Sequence, residues 1–134
     1  MKEKSSTANI FIYVHDAKRY IVNDAFVARI SGRIETSKQL FEHLDSTLNL
    51  PGYFGLNWDA LYDCLRDFHW IEQHKIVIIH DQFPLLKQSD AAMYLSVLHD
   101  AVLDWKSGEE HSLEVIFDAH DHENIRSLMS QLKS

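Results

Sequence analysis

At 134 residues the chain can bury one substantial core, because a domain near this size removes roughly two-thirds of its unfolded surface from water. With 46% hydrophobic and 25% charged residues, four Gly and two Pro, its composition excludes the disordered and collagen-like classes. Thirteen Lys and Arg against twenty Asp and Glu leave a net charge of -7, which disfavours direct binding to nucleic acid or anionic membranes and favours a basic partner.

Residues 1–8 are polar and carry no element signal. Residues 10–14 and 19–23 read as short strands flanking H-D-A-K, which predicts an N-terminal hairpin. Residues 25–30 read as a strand, and Ser31-Gly32 as a turn into a helix over 37–48 that buries Leu40, Phe41, Leu44 and Leu48. Thr36 or Ser37 supplies the N-cap oxygen.

Residues 49–56 form a connection of defined shape, since Pro51 confines Leu50 to extended geometry while Gly52 and Gly55 admit angles other residues resist. A helix follows over 57–68. Residues 75–80 contain I-V-I-I, the continuous β-branched run of a parallel strand buried on both faces. The next helix runs over 88–106 with Ala92, Leu95, Leu98, Val102 and Trp105 in phase, and Gly108 ends it. A strand over 113–118 and a short helix over 121–132, with Ile125, Leu128, Met129 and Leu132 on one side, complete the chain.

Strands alternating with helices predict a small α/β architecture with right-handed crossovers and a mainly parallel sheet. No repeat or linker divides it, so residues 1–24 and 119–134 read as extensions of one domain centred on 25–118. Cys64 is the only cysteine, which excludes an internal disulfide and fits the cytoplasm. No apolar stretch follows the charged N-terminus and no run approaches the roughly 18 apolar residues of a membrane span, so neither signal peptide nor anchor is expected.

The segment 50–70 is the most informative. On a helix starting after Asn57, about 100° per residue puts Trp58, Leu61, Cys64, Leu65 and Phe68 on one side and Asp59, Asp63 and Asp67 on the other. Carboxylates one turn apart repel by roughly 0.2–0.5 kcal/mol per pair, and Asp is a poor residue for a helix interior. The helix dipole accounts for Asp59 in the first turn. It does not account for Asp63 or Asp67, although Arg66 offsets part of their repulsion. Two readings remain: a solvated face of an acidic protein, or a contact surface flanked by Tyr53 and Tyr62, tyrosine being favoured at binding hot spots.

Other chemistry is less supported. His120 and His122 sit beside carboxylates in D-A-H-D-H-E, but no third ligand lies at a diagnostic spacing. Cys64 with His69 or His74 would make a nucleophile pair, yet Cys64 shares the apolar face of its helix. Asp59 and Asp63 would make a hydrolytic pair, yet they lie in no evident cleft. Neither a glycine-rich phosphate loop nor a G-x-S-x-G elbow is present. No catalytic residue, cofactor or metal is therefore expected, and Phe11, Tyr13, Phe26, Trp58, Trp70 and Trp105 read as core.

The residues L-x-L-P-x-Y-F-G-x-N-W-D-A-L-x-D-C-L (48–65) resemble the barstar family, intracellular inhibitors of barnase-like ribonucleases. The resemblance continues in pattern from Phe26 to Asp118. It implies a small three-layer fold with a three-stranded mainly parallel sheet, and a non-enzymatic chain whose acidic helix and preceding loop cover the basic active site of a ribonuclease. By motif position Asp63 matches the carboxylate that enters the phosphate site, and Asp59 its companion. Tyr53 and Asn57 match loop contacts, Gly55 a backbone contact, and Tyr62 a position where the best-known member has Trp. Asp104 is the nearest candidate for the family's acidic residue near the end of the following helix. The expected partner is a basic ribonuclease or ribonuclease-type toxin, the chain being an immunity protein of toxin–antitoxin type and a monomer when unbound. A basic partner that is not a nuclease, and a small metal-dependent enzyme using the histidines, are the alternatives.

Overall fold

The computed structural model describes residues 10–52 and 55–132. The polar stretch 1–8 and Tyr53 lie outside them. The β-branched run at the centre of the chain forms β3 (Lys75–His80), in which every residue after Lys75 is buried. Such burial on both faces requires neighbours on both edges and a layer on each side. β2 (Phe26–Ile30) and β4 (Ser112–Asp118) flank β3 in parallel, with Ile78 opposite Ala28 and Val115. A short β1 (Ile12–Val14) pairs with β4, also in parallel, so the sheet has four strands in the order β1-β4-β3-β2.

Strand alternation sends Ala28, Ile30, Ile76, Ile78, Val115 and Phe117 to one face. There they meet α1 (Ser37–Leu48), α2 (Trp58–Leu65), α3 (Gln88–Asp104) and α4 (His122–Gln131) through Leu44, Leu61, Leu95, Leu98 and Ile125. The opposite face presents Val77, Ile79 and Ile116 to Ala17, with Val14, Val22, Ala25 and Val27 around them. The three layers are helices, sheet and a strap formed by residues 15–24.

The expected α/β class and parallel sheet are present, with a fourth strand in place of the expected N-terminal hairpin. Residues 17–19 form a turn of 3-10 helix, and 20–23 pair with no strand. Side chains satisfy the strap where a hairpin would have used a ladder. The Asp118 carboxylate accepts from Ala17 N at 2.9 Å. The Arg29 guanidinium donates to the carbonyls of Ala17 at 3.0 Å and Tyr20 at 2.5 Å, and pairs with Asp81 at 2.8 Å. A flat hairpin would have left Val77, Ile79 and Ile116 in water, at a cost of roughly 25 cal/mol per Å².

α1 has its expected bounds. Thr36 Oγ1 accepts from Gln39 N at 3.1 Å, and Asn49 at φ 53 closes the other end. α3 ends two residues earlier than expected because Trp105 turns extended and its indole nitrogen donates to Leu65 O at 2.8 Å. Its buried side is Ala91, Tyr94, Leu95, Val97, Leu98 and Ala101, while Ala92 and Val102 are half-buried. One apolar stripe does not describe α3, because the core it enters is built from the sheet, α2 and α4 together. In that core the Tyr94 hydroxyl lies 2.6 Å from His80 Nε2, and His80 Nδ1 lies 3.0 Å from the Ile116 carbonyl. Complete burial pushes the His80 imidazole down to about 4, so it is neutral, donating from Nδ1 and accepting from Tyr94. In α4, Ile125, Leu128 and Met129 are buried as expected, and Leu132 is exposed just past the helix end.

Candidate functional site

The loop before α2 and the start of that helix are built as one piece. Asn57 caps α2, its Oδ1 accepting from Ala60 N at 2.8 Å and its Nδ2 donating to Gly55 O at 3.3 Å. A Cβ at Gly55 would come within 3.2 Å of that Nδ2, closer than an ordinary contact. Between them Leu56 takes φ 55 and is exposed. A left-handed Leu costs of order 1 kcal/mol, so the rest of the loop holds it there.

Leu61, Cys64 and Leu65 are fully buried, and Trp58 packs edge-on against Phe41 at 4.6 Å. The opposite side exposes Asp59 and Asp63, one turn apart. Neither carboxylate has a hydrogen bond or ion pair to another described residue. The expected row of three is shortened to two, because α2 ends at Leu65 instead of running to Phe68. The amides of Asp67 and Phe68 turn back to Cys64 O, and Phe68 takes φ 55, which tucks its ring into the core, stacked 6.1 Å from Trp105. Asp67 therefore sits in a turn, where its carboxylate accepts from His69 N at 3.2 Å and faces His69 Nδ1 at 2.9 Å. Arg66 does not relieve the α2 carboxylates. Its guanidinium lies 4.2 Å over the Trp105 ring and 3.5 Å from Glu109.

Tyr62, half-buried at the edge of this face, donates its hydroxyl to Asp104 at the end of α3. That hydrogen bond, then burial, then the Asp104 charge hold the phenol above its ordinary pKa, and Asp100 adds to the same field. The tertiary fold thus joins Tyr62 of α2, between Asp59 and Asp63 in sequence, to Asp104 of α3, and brings close enough to act on that phenol Asp100, exposed one turn before Asp104 and 3.2 Å from His99 Nδ1. Asp100 was absent from the sequence expectations. The i, i+4 spacing of Asp100 and Asp104 was visible, but the side of α3 that lies beside α2 was not.

The competing chemistries find little support here. Cys64 is fully buried, and burial together with the charges of Asp67, Asp63 and Asp45 pushes its thiol up to about 11, so it holds no thiolate at neutral pH. His74 bonds the Glu110 carbonyl at 2.9 Å, and His122 packs edge-on to Tyr13 at 4.5 Å. Among the described residues no group of three or more His, Cys, Asp or Glu is placed to hold a metal ion. A recess of about 450 Å³ lies between the β3–α3 loop and α4, lined by Phe83, Leu85, Ala91, Asn124 and Leu128, and none of the acidic residues of α2 or the end of α3 lines it. No described helix is long and apolar enough to cross a membrane.

Comparison with curated proteins gives no match. The family model described as Barstar (barnase inhibitor) matches residues 25–124, from the residue before β2 into the first turn of α4. That span includes the capped loop, both α2 carboxylates, Tyr62, Asp100 and Asp104, and the chain accordingly belongs to the Barstar (barnase inhibitor) family.

Proposed function

We propose that this chain is a non-enzymatic inhibitor that lays α2 and the loop before it over the active site of a basic, barnase-like ribonuclease. The observation that carries this reading is the pair of exposed carboxylates, Asp59 and Asp63, with no hydrogen bond or ion pair among the described residues, on a helix whose other side is locked into the core. A ribonuclease that binds RNA phosphates must hold cations in its cleft. Carboxylates on a rigid helix replace those phosphates without ordering a flexible segment. Asp63 enters the phosphate site and Asp59 lies beside it. Tyr53, Gly55 and Asn57 make the loop side of the contact, with Tyr62 and Asp67 at the rim and Asp104 behind Tyr62. Asp100 joins this set from α3.

In this reading residues 1–24 and 119–134 are additions to the 25–118 unit, and the free chain is a cytoplasmic monomer. Its role is immunity against a ribonuclease toxin. The test is binding to, and inhibition of, barnase and any small basic nuclease encoded beside this chain. Asp63→Ala should weaken a nuclease complex at least about thirtyfold, the equivalent of roughly 2 kcal/mol for a desolvated interface charge. Unchanged affinity would remove Asp63 from the contact. Affinity capture from the native cell that returned only non-nuclease basic proteins would replace the ribonuclease with another partner on the same face.

A further inference from the structure

We propose that Asp104 serves this surface as a positioning residue. By accepting the Tyr62 hydroxyl it locks the Tyr62 ring into the α2–α3 seam, so that Tyr62 meets the partner and Asp104 does not. The inference rests on the inhibitor reading and assigns Asp104 a different part in it from Asp59 and Asp63.

Asp59, Asp63 and Asp104 are not alike. Asp59 and Asp63 are exposed and have no hydrogen bond or ion pair among the described residues. Asp104 is half-buried, belongs to the other helix and is joined to Tyr62. A carboxylate that already accepts a phenolic proton has part of its charge stabilised locally. It is a weaker handle for a partner cation than a bare carboxylate.

What the bond does for Tyr62 is geometric. A tyrosine side chain has two rotatable angles, so a ring seated against the core and tied at its hydroxyl has one orientation available. A rigid aromatic wall loses little conformational entropy on binding. The seam around it is closed by other links: Trp105 to the Leu65 carbonyl at 2.8 Å, and Arg66 over the Trp105 ring at 4.2 Å with Glu109 at 3.5 Å. These hold the C-terminal end of α2 against the end of α3. The Tyr62–Asp104 bond lies one turn earlier on α2 and adds the restraint nearest Asp63.

The experiment compares Asp104→Asn, which keeps an oxygen acceptor and loses the charge, with Asp104→Leu, which loses both, each alone and with Tyr62→Phe. Binding is measured to barnase, and the free protein is labelled with ¹³C-tyrosine to follow the Tyr62 hydroxyl. A positioning role predicts that Asp104→Asn retains affinity within about threefold, while Asp104→Leu and Tyr62→Phe each lose about tenfold. Their combination should lose no more than the worse of the two, because both remove one bond. In the free protein Asp104→Leu should move the Tyr62 titration down toward the ordinary tyrosine range. Equal losses for Asn and Leu, undiminished in the Tyr62→Phe background, would make Asp104 a direct charge contact and overturn the proposal. A Tyr62 titration that Asp104→Leu leaves unmoved would overturn it in the free protein. Failure of the parent chain to bind barnase would count against the ribonuclease assigned as partner, and the free-protein titration would then decide the clasp on its own.

Discussion

The aspartates at the two ends of the helical layer do opposite things. At the C-terminal edge of the sheet, Asp81 pairs with Arg29, Asp118 accepts from the amides of Ala17 and His120, and Asp121 accepts from Phe83 N. Each of these joins segments distant in sequence. On α2, Asp59 and Asp63 join nothing among the described residues. The same side chain therefore serves structure where backbone amides are short of acceptors, and is left bare on α2, where the contact is proposed. What distinguishes the two is the surroundings, since both ends are rich in aspartate.

The largest expected effect lies in the core, away from both sets of aspartates. His80 is neutral in the fold at about 4 against 6.5 when unfolded, so below pH 6.5 the unfolded chain binds the extra proton. Stability is fully present above pH 6.5 and falls on acidification toward pH 4, by about 3 kcal/mol from this residue. Chemical denaturation across that window reads the loss, and a flat profile would remove His80 from the account.

A pair of alanine variants separates the two kinds of aspartate. Asp118→Ala leaves two amides without their acceptor and should cost about 2 kcal/mol of folding stability, while nuclease affinity stays within twofold. Asp63→Ala should do the reverse, weakening the complex by about 2 kcal/mol or more with stability unchanged within roughly 0.5 kcal/mol. Thermal melts and calorimetric titration on both variants give the four numbers. A large stability loss in Asp63→Ala would erase the division.

The smallest effect concerns the loop. Leu56 at φ 55 is replaceable by Gly, and Leu56→Gly should leave stability unchanged or raise it by up to about 1 kcal/mol, since relief of the left-handed strain opposes the greater freedom of the unfolded chain. A clear loss in the melt would show that the exposed Leu56 side chain packs more than its geometry suggests.

Much of this molecule was readable before any fold was known. The run Ile76–Ile79 announced a strand covered on both faces, and β3, like β4, has neighbours on both edges. The start of α2 just after Asn57 was legible, and the apolar spacing of Leu61, Cys64 and Leu65 announced which side of that helix is bare. Less readable was the end of α2. The apolar phase carries straight through Phe68, whereas in the structure the helix stops at Leu65, Phe68 turns at φ 55 into the core against Trp70, Trp105 and His111, and Asp67 falls in the turn.

Sequence by itself determined the elements whose stability is local or periodic: the α/β alternation, the buried central strand, a cap before α1 at Thr36 or Ser37, the start of α2 after Asn57, and the acidic side of α2. Those depend on neighbours within about four residues along the chain. Tertiary structure alone decided that the N-terminal residues add a parallel strand and a strap in place of a hairpin. It also decided that Asp67 leaves the helix, that Asp100 joins the acidic face, and that Asp104 is taken by Tyr62. Each of these is a contact between groups twelve or more residues apart, or follows from one. Its energy depends on which surfaces meet, and no spacing rule along a single element carries that information.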